Sequence, residues 1–191
     1  MNREITEEER INQIASHYRE IIKLIGEDPE REGLLRTPER AAKALVAITS
    51  GYRSDPDAIA RKAIFNHEGS KIVMVKNIEF YSLCEHHILP FYGHISIGYI
   101  PKGKIVGLSK LPRIVECFAR RLQVQENLTA QICNFLTKAI SNEGVIVACT
   151  ASHLCMQMRG VEKQDSSTFT YDCSGKFAEY ATLRNEFFNM L

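Results

Sequence analysis

Apolar residues in the first third of the chain recur at helical spacing. Ile11, Ile14, Tyr18, Ile21, Ile22 and Ile25 fall on one stripe, and Gly26 followed by Pro29 ends the pattern. Thr37-Pro38 then supplies an N-cap and a first-turn proline for a helix running through Ala41, Leu45 and Ile48 to Gly51. Asp55-Pro56 opens a shorter helix toward Phe65, and His67 to Ser70 is the expected junction. The pattern therefore predicts an N-terminal helical region over residues 1–66 and a second domain over residues 67–191.

From Lys71 the period changes to that of strands. Lys71 to Phe80 is β-branched and apolar, while Ile95, Ile97 and Tyr99 alternate with His94, Ser96 and Gly98. Ile105 to Leu108 is expected to pair back after a turn at Pro101-Lys102-Gly103. Two helices follow, Lys110 to about Arg121 and about Glu126 to Ser141, the second with Leu128, Ile132, Phe135, Leu136 and Ile140 on one stripe. Asn142-Glu143-Gly144 ends it. Val145 to Met156 and Thr168 to Asp172 read as strands, and Phe177 to Leu191 as a final helix. Strand pairs on either side of a helix pair predict an α+β fold, an antiparallel four-stranded sheet with two helices on one face.

Composition removes some functions and leaves others. At 191 residues the chain can bury roughly 70% of its unfolded surface and needs no covalent staples. Lysine plus arginine number 24 and aspartate plus glutamate 23, for a formal net charge of +1. That balance gives no overall pull toward nucleic acid or an anionic membrane, so any anion site is local. No run of 18 apolar residues occurs, and the charged, acidic start (Met1 to Arg10) is unlike a signal peptide, so a cytoplasmic setting is expected. The six cysteines are then reduced. Cys117 and Cys133 fall among apolar helix residues and read as small core side chains. Cys149 is on the same predicted strand face as Cys155 but about 20 Å away at about 3.3 Å per residue, too far to share a metal. Cys173 is expected to end its strand.

Two short segments carry metal-binding residue types: Cys84-Glu85-His86-His87 and His153-Leu154-Cys155. Cys84 and His87 can converge from one tight turn, and His153 and Cys155 leave the same face of a predicted strand. Two thiols and several imidazoles with no Cys-X-X-Cys pair fit an open zinc site, in which three protein ligands leave a position for water. Cys84, His87 and Cys155 are the expected ligands. His86 and His153 are then beside the metal and suited to proton transfer, with Glu85 a candidate acceptor that orients a histidine.

Polyanion chemistry has one decoy and one candidate. Gly98 to Lys104 has the spacing of a phosphate-binding P-loop, but Ile105 stands where Ser or Thr is needed and Pro101 removes an amide, so it reads as a hairpin turn. Ser109-Lys110-Leu111-Pro112-Arg113 reads as a helix start with Ser109 as N-cap, where free amides and two cations can receive phosphate. An ordinary capped surface helix fits the same residues. Arg159 and Arg40 are further candidate cations, each equally readable as a surface residue. Glu126, at a helix start, is either a helix-dipole carboxylate or an acceptor for adjacent N–H groups such as a guanine edge.

The segments Ser82 to Phe91, Gly107 to Val115, Phe118 to Glu126 and His153 to Gly160 together closely resemble GTP cyclohydrolase I. The resemblance runs from about Lys71 to the C-terminus, with a looser match through the N-terminal helices. It includes the Cys-Glu-His-His segment that the related nitrile reductases lack. It implies the tunnelling fold for residues 67–191 and a reaction in which GTP yields formate and 7,8-dihydroneopterin triphosphate, the first step of folate and pterin biosynthesis. It implies zinc on Cys84, His87 and Cys155, proton transfer by His86 and His153, and guanine held by Glu126 with Gln125 beside it. The triphosphate would be held by Ser109, Lys110, Arg113, Arg159 and, through the looser N-terminal match, Arg40. It also implies a homodecamer of two pentamers with sites between subunits. Two alternatives remain: a non-catalytic zinc-stabilised nucleotide-binding module, and an enzyme that stops at a formamide product.

Overall fold

The computed structural model describes residues 5–69 and 71–191. Residues 1–4, and Ser70 at the end of the expected junction, lie outside the described residues. The chain divides into two compact units, one ending at Ser50 and the other spanning Gly51–Leu191.

In the first unit, helix α1 (Glu7–Leu24) starts at a capping box. The Thr6 hydroxyl accepts from Glu9 N–H at 3.1 Å, and the Thr6 amide donates to the Glu9 carboxylate at 2.8 Å. Helix α2 (Thr37–Ile48) packs against α1 and buries Ala42 and Val46. Thr37 does not cap it. Arg36 occupies the N-cap in helical conformation with no side-chain bond, and Pro38 lies in the first turn.

The second unit begins in a 3-10 turn. Gly51 donates to Arg120 O at 2.9 Å, and a Cβ there would lie 2.4 Å from Cys117 O, so only glycine fits. Asp55 caps helix α3 (Pro56–Arg61) through Ala58 N–H. That helix stops short of Phe65, because Ile64–Asn66 forms strand β1. The pattern groups residues 51–66 with the N-terminal helices; in the structure they fold with the second unit, where β1 pairs antiparallel with β4 (Lys104–Val106). Residues 104–106 therefore pair with β1 and not back onto the strand before the turn at residues 101–103, which Val106 N–H reaches through the buried Tyr99 hydroxyl at 3.3 Å.

The main sheet contains β2 (Val73–Cys84), β3 (Pro90–Pro101), β6 (Asn142–His153) and β7 (Thr168–Gly175), antiparallel in that order. A two-residue strand, β5 (Leu122–Gln123), joins the β2 edge in parallel. Helices α4 (Lys110–Ala119) and α5 (Gln125–Ala139) cover one face, which is the expected α+β arrangement. Phe80, Phe91, Ile95, Ile97 and Val147 meet Leu111, Ile114, Leu128, Ile132 and Leu136 there, all fully buried. Each contributes about 1.5–3 kcal/mol on leaving water.

Three further departures bear on the site. Strand β6 ends at His153, and Leu154–Gln157 forms a short helix, α6, so Cys155 sits on a helical turn and shares no strand face with His153 or Cys149. Cys173 lies inside β7, not at its end. The expected final helix is broken at the extended Tyr180 into α7 (Lys176–Glu179) and α8 (Ala181–Asn189), and the Arg184 guanidinium satisfies the free carbonyls of Phe177 and Ala178. No helix among the described residues is long and apolar enough to cross a membrane.

Candidate metal centre and active site

The register of β3 gathers the chemistry at one end of the sheet. Leu83 pairs with Pro90 and Phe91 with His153, so the C-terminal ends of β2 and β6 both flank the start of β3. At that end, Cys84 N–H donates to Leu89 O and Ile88 N–H to Cys84 O, each at 2.8 Å. Glu85 N–H is held by Gln123 O at 3.0 Å, which ties the turn to β5. The turn forces Ile88 to φ 56°, a left-handed conformation that a β-branched side chain resists.

This turn carries His87 back over Cys84, with Nδ1 3.9 Å from Sγ. Cys155 completes the group, and the ligand atoms of Cys84, His87 and Cys155 all lie within 4.8 Å of one another. With bonds of about 2.3 Å to sulfur and about 2.0–2.1 Å to nitrogen, two ligands on one tetrahedral ion stand roughly 3.5–3.8 Å apart. The three side chains therefore fit a metal after small rotations, and the donor set of two thiols and one imidazole suits a borderline-soft ion. Burial and the neighbouring Cys84 sulfur push the Cys155 thiol up, and the Arg159 cation pulls it back. His86 Nδ1 is also 3.8 Å from Cys84 Sγ, but His86 is not in the three-way group. Glu85 Oε1 is 3.9 Å from His86 Nε2, too far for a hydrogen bond.

His153 sits beside this group, half-buried. Its ring stacks on Phe91 with centroids 4.8 Å apart and planes 2° from parallel. Nε2 is 2.8 Å from Gln125 Oε1. Burial holds the imidazole below its usual range, against the opposing pull of the Glu126 carboxylate. A cleft of about 230 Å³ joins the two groups and is lined by Cys84, Cys155, His86, His153, Glu126 and Met156 among others.

The expected anion-binding residues are not gathered in the same way. Ser109 is at the N-cap of α4 in helical conformation, and its hydroxyl makes no capping bond. Ser109, Arg113 and Arg159 are exposed and Lys110 half-exposed, and none of the four lines the cleft. Arg40 is exposed on α2 in the N-terminal unit.

A sequence model of GTP cyclohydrolase I matches residues 14–191. This chain belongs to the GTP cyclohydrolase I family. It is similar to GTP cyclohydrolase 1 of Porphyromonas gingivalis, with 53% identity over 98% of this chain and 97% of that protein. GTP cyclohydrolase 1 of Parabacteroides distasonis is 54% identical over 93% of this chain and 91% of its own length. That of Chlorobaculum tepidum is 50% identical over 97% and 83%. Among solved structures, the apo archaeosine synthase QueF-like protein is similar at TM-score 0.41, with 16% identity over 55% of this chain and 93% of that chain.

Membership of the GTP cyclohydrolase I family makes the chain an enzyme of the hydrolase class. In this family member the sequence motifs left several supporting residues unmarked. Phe91 closes one of the quoted segments, yet only the β3–β6 register shows it under His153. Gln123 supports the Cys84 turn through its backbone, while its side-chain amide is fixed by Phe118 O and Gln131 Oε1. Gln125 is 1% exposed and lines the cleft, with its amide nitrogen engaged by Cys149 O, Thr168 O and Thr170 Oγ1 and its carbonyl oxygen by His153.

Proposed function

We propose that this chain opens the imidazole ring of GTP by hydrolysis and converts the product to 7,8-dihydroneopterin triphosphate with release of formate. The observation that carries the reading is the three-ligand group of Cys84, His87 and Cys155, whose two cysteines line one cleft with His153. Two thiolates and an imidazole suit zinc, which when bound would supply an activated water at the coordination position the three side chains leave open.

The rest is done by the chain's own residues. His153 hands a proton to the ring nitrogen beside carbon 8 as that carbon is attacked, and the bond between them opens. His86, exposed at the mouth of the cleft, relays protons when the formyl carbon is hydrated and formate leaves. Glu126 accepts the N–H groups of the guanine edge. Ser109, Lys110, Arg113, Arg159 and Arg40 hold the triphosphate, which takes no part in bond changes and fixes the base over the metal group.

We infer that the site is completed by a second copy of the chain, in a ring-based homodecamer. The cleft of about 230 Å³ is smaller than the roughly 300–1,000 Å³ usual for small-molecule sites. The cations that would hold phosphate do not line it. On this reading the unit Gly51–Leu191 is the catalytic domain, Arg40 comes from the N-terminal unit, and a reducing cytoplasm keeps the six free cysteines as thiols.

The test is incubation of the purified, zinc-loaded chain with GTP, with formate assayed directly and pterin by fluorescence after oxidation. Formate and fluorescent pterin in equal amounts are expected. A formamide product without pterin would replace the reading with an enzyme that stops after ring opening. Zinc and GTP binding without any product would leave a binding module.

A further inference from the structure

We propose that Gln125 is a positioning residue for His153: its side-chain carbonyl fixes the imidazole as the Nε2–H tautomer in a set plane, leaving Nδ1 as the nitrogen available to substrate.

The directions of the hydrogen bonds around Gln125 fix which way its amide faces. Its amide nitrogen is 3.2 Å from Cys149 O, 3.0 Å from Thr168 O and 3.2 Å from Thr170 Oγ1. The first two are carbonyls and can only accept. The Thr129 hydroxyl donates to Gln125 O at 2.8 Å, which uses its single proton. Across the 2.7 Å contact between Thr129 and Thr170, Thr170 must therefore be the donor, so Thr170 Oγ1 faces Gln125 as an acceptor. Turning the amide over would set its oxygen against two carbonyl oxygens and a hydroxyl oxygen whose proton is already used, in a pocket that is 1% exposed. Gln125 Oε1 consequently points at His153, 2.8 Å from Nε2. A carbonyl oxygen accepts only, so Nε2 carries the hydrogen whether the ring is neutral or cationic.

Phe91 fixes the remaining freedom, since its parallel stack sets the imidazole plane. Nδ1 makes no hydrogen bond to protein among the described residues. A proton taken up at Nδ1 makes an imidazolium whose Nε2–H is already bonded, and its release to a guanine nitrogen restores the same tautomer with no other proton moved. Both amide protons of Gln125 are committed to protein acceptors, so the base finds no donor there. Orienting residues of this kind are worth roughly 10–100-fold in activity.

The inference rests on His153 as the proton carrier of the proposed reaction, so one arm of its test needs no turnover. The full chain, labelled with 15N-histidine and loaded with diamagnetic zinc, is examined by long-range proton–nitrogen correlation, with His153 assigned from His153→Ala. A pyrrole-type Nε2 and a pyridine-type Nδ1 are expected. A predominant Nδ1–H tautomer would overturn the proposal, and this result does not depend on any variant folding. In the second arm, Gln125→Met is expected to lower kcat about 100-fold with KM for GTP changed less than about threefold. Thr170→Val, which removes one link and keeps Gln125, should lower kcat severalfold with KM unchanged. A raised KM with unaltered kcat in Gln125→Met would make Gln125 a substrate contact and overturn positioning. A chain inactive on GTP that still holds the Nε2–H tautomer would remove the proposed reaction and uphold the positioning.

Discussion

The metal-binding group and the residues expected to bind triphosphate are built on different principles. Cys84 and Cys155 leave the same end of one sheet, and His87 is returned to them by a turn with several backbone bonds. Strand register and turn hydrogen bonds decide those positions, so the group is assembled before any ligand arrives. The backbones of Ser109, Lys110 and Arg113 are held by α4, but their side chains and that of Arg159 are exposed or half-exposed and no hydrogen bond among the described residues fixes them. Long cationic side chains at a surface keep their rotamer freedom until a polyanion or a second copy orders them, at up to about 1.5–2 kcal/mol each. The difference separates a preorganised side-chain group from a surface whose geometry, on the proposed reading, is set on association.

The largest effect should come from breaking the preorganised half. Cys155→Ser removes one of two sulfurs, and we expect metal content by elemental analysis and turnover both to fall to background. Stoichiometric metal with full rate in that variant would take Cys155 out of the centre. Removing the ion with a chelator sharpens the same contrast in the wild type. Burial pushes the Cys133 and Cys149 thiols up to about 12, so both should resist alkylation with or without metal. Cys155, only partly buried, should be modified once the ion is gone. Mass spectrometry of the alkylated peptides reads this directly, and modification of Cys149 at the rate of Cys155 would show that the chelated protein has lost its core.

Next in size is His153→Ala. The variant should keep its metal and lose about 10²–10⁴ in the rate of ring opening, measured as formate release in a single turnover. Normal release would remove His153 from proton transfer. Smaller still is Lys110→Ala on the surface half. One charge-assisted bond to phosphate is worth about 1.5–3 kcal/mol, or roughly 10–150-fold in KM for GTP, with bound metal unchanged. A variant that lost metal as well would mean that the two halves are not independent.

The same contrast explains what could be read from the chain beforehand. The α+β order and the pairing of Cys84 with His87 were legible because alternation and short motif spacing are local signals, while Cys155 was marked by its residue type. Cys155 on a helical turn was not legible, because apolar residues run on through Met156 and a short apolar stretch reads equally as strand or helix. Strand β1 was hidden inside an apparent helix for a similar reason, since its pairing with Lys104–Val106 is a contact between distant residues. Gln125 was the hardest to read. Its partners Cys149, Thr168 and Thr170 are 24, 43 and 45 residues away, so its place at Glu126's side said nothing about the pocket it fills.

The smallest expected effect tests whether the metal-binding turn holds strain. Ile88 stands at φ 56° with 55% of its surface exposed, between His87 and the start of β3. At an ordinary backbone position, replacing a half-exposed isoleucine by asparagine would cost about 1 kcal/mol of lost burial. Asparagine, however, tolerates the left-handed region, and relief of about 1–2 kcal/mol of backbone strain should offset that loss. Ile88→Asn should therefore leave the unfolding free energy within about 0.5–1 kcal/mol of wild type, with metal affinity unchanged, as read by denaturant melts and competitive chelation. A loss well beyond 2 kcal/mol would mean that the Ile88 side chain, and not the hydrogen-bonded turn around it, holds His87 over Cys84. The metal-binding group would then owe its geometry to an exposed side chain and not to the sheet.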